Sequence, residues 1–262
     1  MSVAAATEPL LRLDDVRVSY GRIEAVRGVS LTVGRGEFIG VIGSNGAGKT
    51  SLLRALTGVV RPLSGRVTFD GSDTTGRKSH EMVALGIAMV PEGRMVFADQ
   101  TVYDNLLLGA FSRIRRDRDG VEQDIERAFT LFPRLEERRN QEAGTLSGGE
   151  QQMLAVARGL LSRPRLLLID ELSLGLAPLI LDMLFPVLTQ LNREGLSILL
   201  VDQLANYALA DTHRTYVMEN GRILFDGDSR ALAEDPRVLD AYLGRRGHER
   251  CPSIQKSNRA NG

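Results

Sequence analysis

Apolar and polar residues alternate along residues 11–34, with Leu11, Leu13, Val16 and Val18 followed by Val29, Leu31 and Val33. A period of two predicts antiparallel strands with one wet face. Phe38-Ile39-Gly40-Val41-Ile42 breaks that alternation. It is apolar throughout, the pattern of a parallel strand buried on both faces. Gly43–Gly48 then reads as a loop, and a helix is predicted to start near Lys49, bury Leu52, Leu53 and Leu56, and stop at Gly58. Residues 65–71 are expected to form a further edge strand and Ile87–Val90 a further buried one.

The strand pattern vanishes between Thr101 and about Leu160. Thr101 suits the cap of a helix carrying Val102, Leu106, Leu107 and Leu108. Val121, Ile125, Ala128, Phe129 and Phe132 also recur at helical spacing. Strands return at Leu166–Ile169 and Ile198–Val201, separated by an amphipathic helix from about Pro178 to Arg193. Thr215–Met218 and Ile223–Phe225 flank Glu219-Asn220-Gly221-Arg222, a hairpin turn. Alternating strands and helices with right-handed crossovers build a mainly parallel sheet. The helical block is therefore predicted to be a subdomain, at about residues 97–160, inserted into an α/β core. Residues 1–10 read as an N-terminal extension, and 245–262, polar and basic, as a disordered tail.

Composition narrows the function. At 262 residues the chain can bury a full core. Lys+Arg and Asp+Glu are both 33, a balance without the basic excess of a dedicated nucleic-acid binder. No apolar run approaches bilayer-spanning length. Met1–Glu8 has neither the basic nor the long apolar stretch of a secretory signal. The single cysteine, Cys251, has no internal partner, which points to a reducing compartment. Work at a membrane would then run through a partner.

Gly43-Ser44-Asn45-Gly46-Ala47-Gly48-Lys49-Thr50 satisfies the phosphate-loop pattern G-x-x-x-x-G-K-[ST] in full, and it follows a buried strand and opens a helix. Its amides are suited to converge on phosphates, Lys49 to reach the β- and γ-phosphates, and the Thr50 hydroxyl to bind Mg²⁺. Asp170 and Glu171 end the Leu-Leu-Leu-Ile strand, and ligands in parallel sheets lie beyond the carboxyl ends of strands. Asp170 is expected to hold Mg²⁺ through water and Glu171 to polarise an attacking water. Of the three histidines, His80, His213 and His248, His213 near the end of a predicted helix reads as structural or solvated.

Between these two motifs stands Leu146-Ser147-Gly148-Gly149-Glu150-Gln151-Gln152. Its glycines suit close approach of backbone to phosphate, and the helix N-terminus expected after them is a natural anion site. In order and spacing the three motifs resemble those of ATP-binding cassette proteins, over roughly residues 11–244. The resemblance implies the fold: a P-loop NTPase core with an antiparallel β subdomain and an inserted helical subdomain. It implies ATP and Mg²⁺ as ligands, contacted by Gly43, Ser44, Asn45, Gly46, Ala47, Gly48, Lys49, Thr50 and Ser51. It also implies a composite site, with the γ-phosphate gripped across a dimer by Ser147 and the amides of Gly148 and Gly149. Tyr20 stands where the family keeps an adenine-stacking aromatic. Glu92, in Val90-Pro91-Glu92-Gly93-Arg94, takes the place of the Q-loop glutamine at the nucleotide and metal. Gln203, in Leu200-Val201-Asp202-Gln203, takes that of the catalytic switch histidine. Ser173–Pro178 forms the D-loop, and Ala241-Tyr242-Leu243-Gly244 ends the domain.

Within the family, Pro-Glu-Gly-Arg and Ser-Leu-Gly-Leu-Ala-Pro resemble the ATPase subunits of branched-chain (hydrophobic) amino-acid importers, the LivF type. The chain departs from them at Leu172, usually proline, and at Asp202 and Leu204 in a run usually Glu-Gln-Asn. The resemblance implies a heterodimer with a sister ATPase, or a homodimer in isolation, on the cytoplasmic face of the inner membrane. It further implies two membrane permeases, an external solute-binding protein, and no nucleic acid. Met95, Val96 and Phe97 are candidates to receive a permease helix, with core packing the competing reading. Importers of urea, amides and aromatic acids use similar ATPases. A DNA- or ribosome-acting cassette would need a long coiled coil or two cassettes in one chain. A P-loop kinase has no use for Leu146–Glu150.

Overall fold

The computed structural model describes residues 8–239. The expected end at Ala241–Gly244, the tail 245–262, His248, Cys251 and residues 1–7 of the extension lie outside the described residues. Leu10, also assigned to the extension, is buried, and its carbonyl accepts from Asp70 N–H.

The alternating segment folds as β1 (Leu11–Tyr20) and β2 (Ile23–Val33), paired antiparallel. Strand β3 (Phe38–Ile42) is buried along its whole length and leads through the Gly-rich loop into α1 (Lys49–Leu56). Next come β4 (Ser64–Phe69), β5 (Ser72–Asp73), α2 (Ser79–Leu85) and β6 (Ile87–Val90). The first sheet has the order β2-β1-β4-β5. The predicted edge strand is thus one position inside the edge, which the two-residue β5 takes; so short a pairing leaves no trace in hydrophobic periodicity.

Between β6 and β7 (Leu166–Asp170) the described chain forms no strand: helices and a 3-10 turn at Ala143–Thr145 are joined by loops, with one isolated bridge, Thr101 to Glu142. The helices are α3 (Val102–Gly109), α4 (Arg118–Leu131), α5 (Pro133–Glu136) and α6 (Gly148–Leu160). Thr101 caps α3 as its sequence suggests: its Oγ1 accepts from Asp104 N–H at 3.0 Å, while Asp104 Oδ2 accepts from Thr101 N–H. After β7 follow α7 (Pro178–Arg193), β8 (Ser197–Asp202), α8 (Ala205–Asp211), β9 (Arg214–Glu219), β10 (Arg222–Asp228), α9 (Ser229–Ala233) and α10 (Pro236–Val238). The β9–β10 turn has Asn220 and Gly221 at positive φ, as tight hairpins require.

The second sheet runs β10-β9-β3-β8-β7-β6, parallel except for β10. Its residues alternate between two cores. Ile39, Val41, Leu168, Leu199 and Val201 pack with α1 and the first sheet; Phe38, Ile42, Leu167, Ile169 and Leu200 pack with the helices on the other face. Having a core on each side removes the polar positions from these strands. The register sets Ile42 opposite Asp202 and Asp170 opposite Val201. The loops leaving β3, β8 and β7 therefore open side by side at one end of the sheet.

Candidate functional site

The loop after β3 folds tightly. Gly48 lies at φ 101°. A Cβ there would overlap the Ala25 carbonyl oxygen, and one on Gly43 would overlap the Met218 carbonyl oxygen. Only glycine fits both, and the loop from Asn45 to Ser51 lines a cleft of about 480 Å³. Its lining contains Tyr20, Asn45–Ser51, Glu92 and Glu171 from the sequence expectations, together with Ala25 and Leu174. Tyr20 is 40% exposed at the end of β1, an accessible ring beside the loop.

Lys49 Nζ sits within this loop. It donates to the carbonyls of Gly43 at 2.9 Å and Ser44 at 3.1 Å, and pairs with Glu171 Oε1 at 3.0 Å. Both side chains of the pair are more than nine-tenths buried. Glu171 adopts φ 50°, a left-handed conformation that a non-glycine residue holds only when its surroundings impose it. Its N–H donates to Val201 O at 2.8 Å, anchoring the turn to β8. Leu172 is completely buried and packs in the helical-side core.

Thr50 Oγ1 donates to Asp170 Oδ1 at 3.2 Å, and Asp170 Oδ2 is buried without a partner. Burial pushes the Asp170 carboxyl up to about 6. The Thr50 hydrogen bond works against this, and the charges of Glu171 and Glu92 add to it. A buried, orphaned carboxylate oxygen beside a threonine hydroxyl fits Mg²⁺, which takes one or two protein carboxylates together with phosphate oxygens.

Ser147, Gly148 and Gly149 do not line this cleft. Ser147 caps α6: its Oγ accepts from Glu150 N–H at 3.3 Å, and Glu150 Oε2 accepts from Ser147 N–H at 2.9 Å. Gly149 has a packing reason that sequence did not reveal, whereas at Gly148 only a flexible guanidinium would have to move. A Cβ on Gly148 would come within 2.9 Å of the Arg94 guanidinium, and one on Gly149 within 2.8 Å of Ile180. Gln203 is exposed, outside the cleft lining, and its side chain makes no hydrogen bond among the described residues. Met95 and Phe97 are 65% and 52% exposed, while Val96 packs against the core. Asn105 clamps the Phe97 backbone on both its N–H and its carbonyl. His213 is structural: its Nδ1 accepts from Phe38 N–H at 3.0 Å. Sequence reading treated Asp202 only as a departure from the usual glutamate; the structure shows it fully buried, with Ser173 and Leu204 bonded to it.

The phosphate loop, the paired acids at β7 and the capped glycines at α6 define an ATP-binding cassette, and the chain belongs to that family: it matches the ABC transporter family over residues 26–173. It is similar to the high-affinity branched-chain amino acid transport ATP-binding protein BraG of Pseudomonas aeruginosa, with 47% identity over 90% of this chain and all of that protein. A probable branched-chain amino acid transport ATP-binding protein LivF of Archaeoglobus fulgidus is 33% identical over 90% of this chain and 99% of that one. Among solved structures, a nucleotide-free ATP-binding cassette from an ABC transporter superposes with a TM-score of 0.78, at 27% identity, over 90% of this chain and 100% of the other.

Proposed function

We propose that the chain is the ATP-hydrolysing subunit of an importer for branched-chain or other hydrophobic amino acids. The observation that carries the reading is the cleft itself: Lys49, Thr50 and Glu171 line it, and Asp170 stands buried behind Thr50 and bonded to it, in a chain alignable with the whole of BraG. The Lys49 charge is paired with Glu171. The phosphates of ATP compete for Lys49 and release the Glu171 carboxylate to polarise a water. Thr50 and Asp170, with Glu92 alongside, would hold Mg²⁺, whose charge balances that of the phosphates. Ser147 and the amides of Gly148 and Gly149, outside their own chain's cleft, serve a partner's nucleotide. Gln203 senses the γ-phosphate once the two cassettes close.

On this reading the partners are a sister ATPase, two permeases and, indirectly, an external binding protein. The working place is the cytoplasmic face of the cell membrane, reached through the permeases, with Met95 and Phe97 in the contact. No helix among the described residues is long and apolar enough to cross a membrane.

The test is to assemble the chain with its permeases and binding protein in vesicles and measure ATP-driven uptake of labelled leucine. Lys49→Ala is expected to weaken ATP binding by roughly 1.5–3 kcal/mol, the scale of hydrogen bonds to charged groups, and to abolish uptake. Unchanged ATP affinity would overturn the site. Uptake of urea or amides in place of leucine would move the cargo and leave the ATPase reading in place.

A further inference from the structure

We propose that Asp202 is a positioning residue that locks the loop carrying Glu171 to the loop carrying Gln203, so that the two residues act as one unit in turnover. The inference rests on the roles of Glu171 and Gln203 given above and concerns what holds them.

Asp202 ends β8, next to the end of β7. Its carboxylate is 1% exposed and takes three donors. Oδ2 accepts from Ser173 N–H at 3.0 Å, and Oδ1 accepts from the Ser173 hydroxyl and from Leu204 N–H at 2.9 Å. Among the described residues no cation pairs with it. The bond to Leu204 closes a turn around Gln203, of the kind that aspartates form with a backbone N–H two residues on. Among the described residues the Gln203 side chain makes no hydrogen bond of its own, so what the turn fixes is the backbone from which it extends.

The two bonds to Ser173 act on the other loop. Ser173 stands two residues beyond Glu171 and one before Leu174, which lines the cleft. Together with the Glu171 N–H bond to Val201, they fix both ends of the Glu171–Ser173 segment to β8. A carboxylate is needed because all three partners are donors. Asparagine would turn its NH₂ toward one of them and leave a buried donor facing a donor. Movement of the Ser173–Leu176 segment on contact with another cassette would reach Gln203 through this one group.

The experiment measures steady-state ATP turnover in the assembled transporter for Asp202→Asn, Ser173→Ala and the double variant, with Glu171→Gln and Gln203→Ala alongside. ATP binding and thermal melting of each unassembled chain are recorded too. Asp202→Asn is expected to lower kcat roughly tenfold to a hundredfold, the scale of a charged hydrogen bond lost only in the transition state, with KM for ATP within about twofold. Ser173→Ala deletes one hydroxyl, leaves the fold intact, and is expected to give a smaller kcat loss of the same kind. The double variant should lose less than the product of the two single losses, because both remove one linkage. A purely structural clamp would lower melting and leave the kcat of the folded fraction alone. Wild-type kcat in Ser173→Ala and Asp202→Asn, strict multiplication in the double variant, or a rise in KM at constant kcat would overturn the inference. If Glu171→Gln and Gln203→Ala also turn over normally, the site assignment itself falls; if only those two are impaired, the linkage alone falls.

Discussion

Lys49 and Glu171 form an ion pair that is nearly dry, and a buried pair responds sharply when one partner is neutralised. Glu171→Gln leaves the buried Lys49 ammonium with the Gly43 and Ser44 carbonyls but without its carboxylate. The nucleotide-free variant is therefore expected to melt lower than wild type. Bound ATP restores an anionic partner and meets no competing carboxylate, so its affinity should rise by on the order of 1 kcal/mol while turnover falls steeply. The measurement is the ATP-induced shift in melting temperature, larger in the variant than in wild type; an equal or smaller shift would remove Glu171 from its place as Lys49's partner. Asp170 gives a pH signature. Burial raises its carboxyl to about 6, so between about pH 4 and 6 the folded chain keeps a proton that the unfolded chain, near the ordinary carboxylate value, has released. Without Mg²⁺, this group's contribution makes stability fall as pH rises through that window and stay lower above it. Asp170→Asn holds the group neutral at every pH and should raise melting at pH 7 more than at pH 5. Asp211, which burial also raises to about 6, supplies the control, because Asp211→Asn should show the same trend far from the nucleotide.

At the scale of elements, the extent to which the chain was legible depended on whether a signal was local. The continuous apolar runs of β3, β7 and β8 announced strands with a core on each face, and Thr101 announced the start of α3. The phosphate loop and the Asp170-Glu171 pair were legible because their spacing is fixed by phosphate chemistry. The Ser173–Asp202 contact was not: it joins residues 29 apart that meet only because β7 and β8 are neighbours in the sheet. The packing of Arg94 against Gly148 likewise depends on how a loop after β6 lies across the start of α6. The capping of α6 makes a separable expectation. Ser147→Ala should cost about 1 kcal/mol of stability by removing the acceptor for Glu150 N–H. Ser147→Arg should leave ATP binding by the unassembled chain unchanged, because Ser147 is outside its own cleft, and should cripple turnover of the assembled ATPase. Binding titrations on the lone chain and rates on the complex check both; lost affinity in the lone chain would place Ser147 in cis and contradict the composite site.

For the whole molecule, the proposed reading puts Gln203 in the place of a switch histidine. Gln203 is exposed and its side chain is unbonded, just past the end of β8, beside a cleft that it does not line. In the lone chain it therefore has nothing to contribute to nucleotide affinity. On the proposed reading its amide donates to a γ-phosphate once a second cassette closes, and it neither carries charge nor exchanges a proton near neutral pH. Three consequences are expected together. Gln203→Ala should leave the ATP affinity of the unassembled chain within about twofold of wild type and lower kcat in the assembled transporter by roughly tenfold, the scale of one hydrogen bond to a charged group. Gln203→His should retain activity, because imidazole also donates. The histidine variant alone should acquire a turnover step titrating near the ordinary imidazole value, about 6.5, on a pH profile that in the wild type has no such step from this position. Rates from pH 5.5 to 8.5 on the assembled complex, with binding on the lone chain, measure all three. Wild-type kcat and affinity in Gln203→Ala would make Gln203 a surface residue, and completion of the site would then rest on the partner cassette alone.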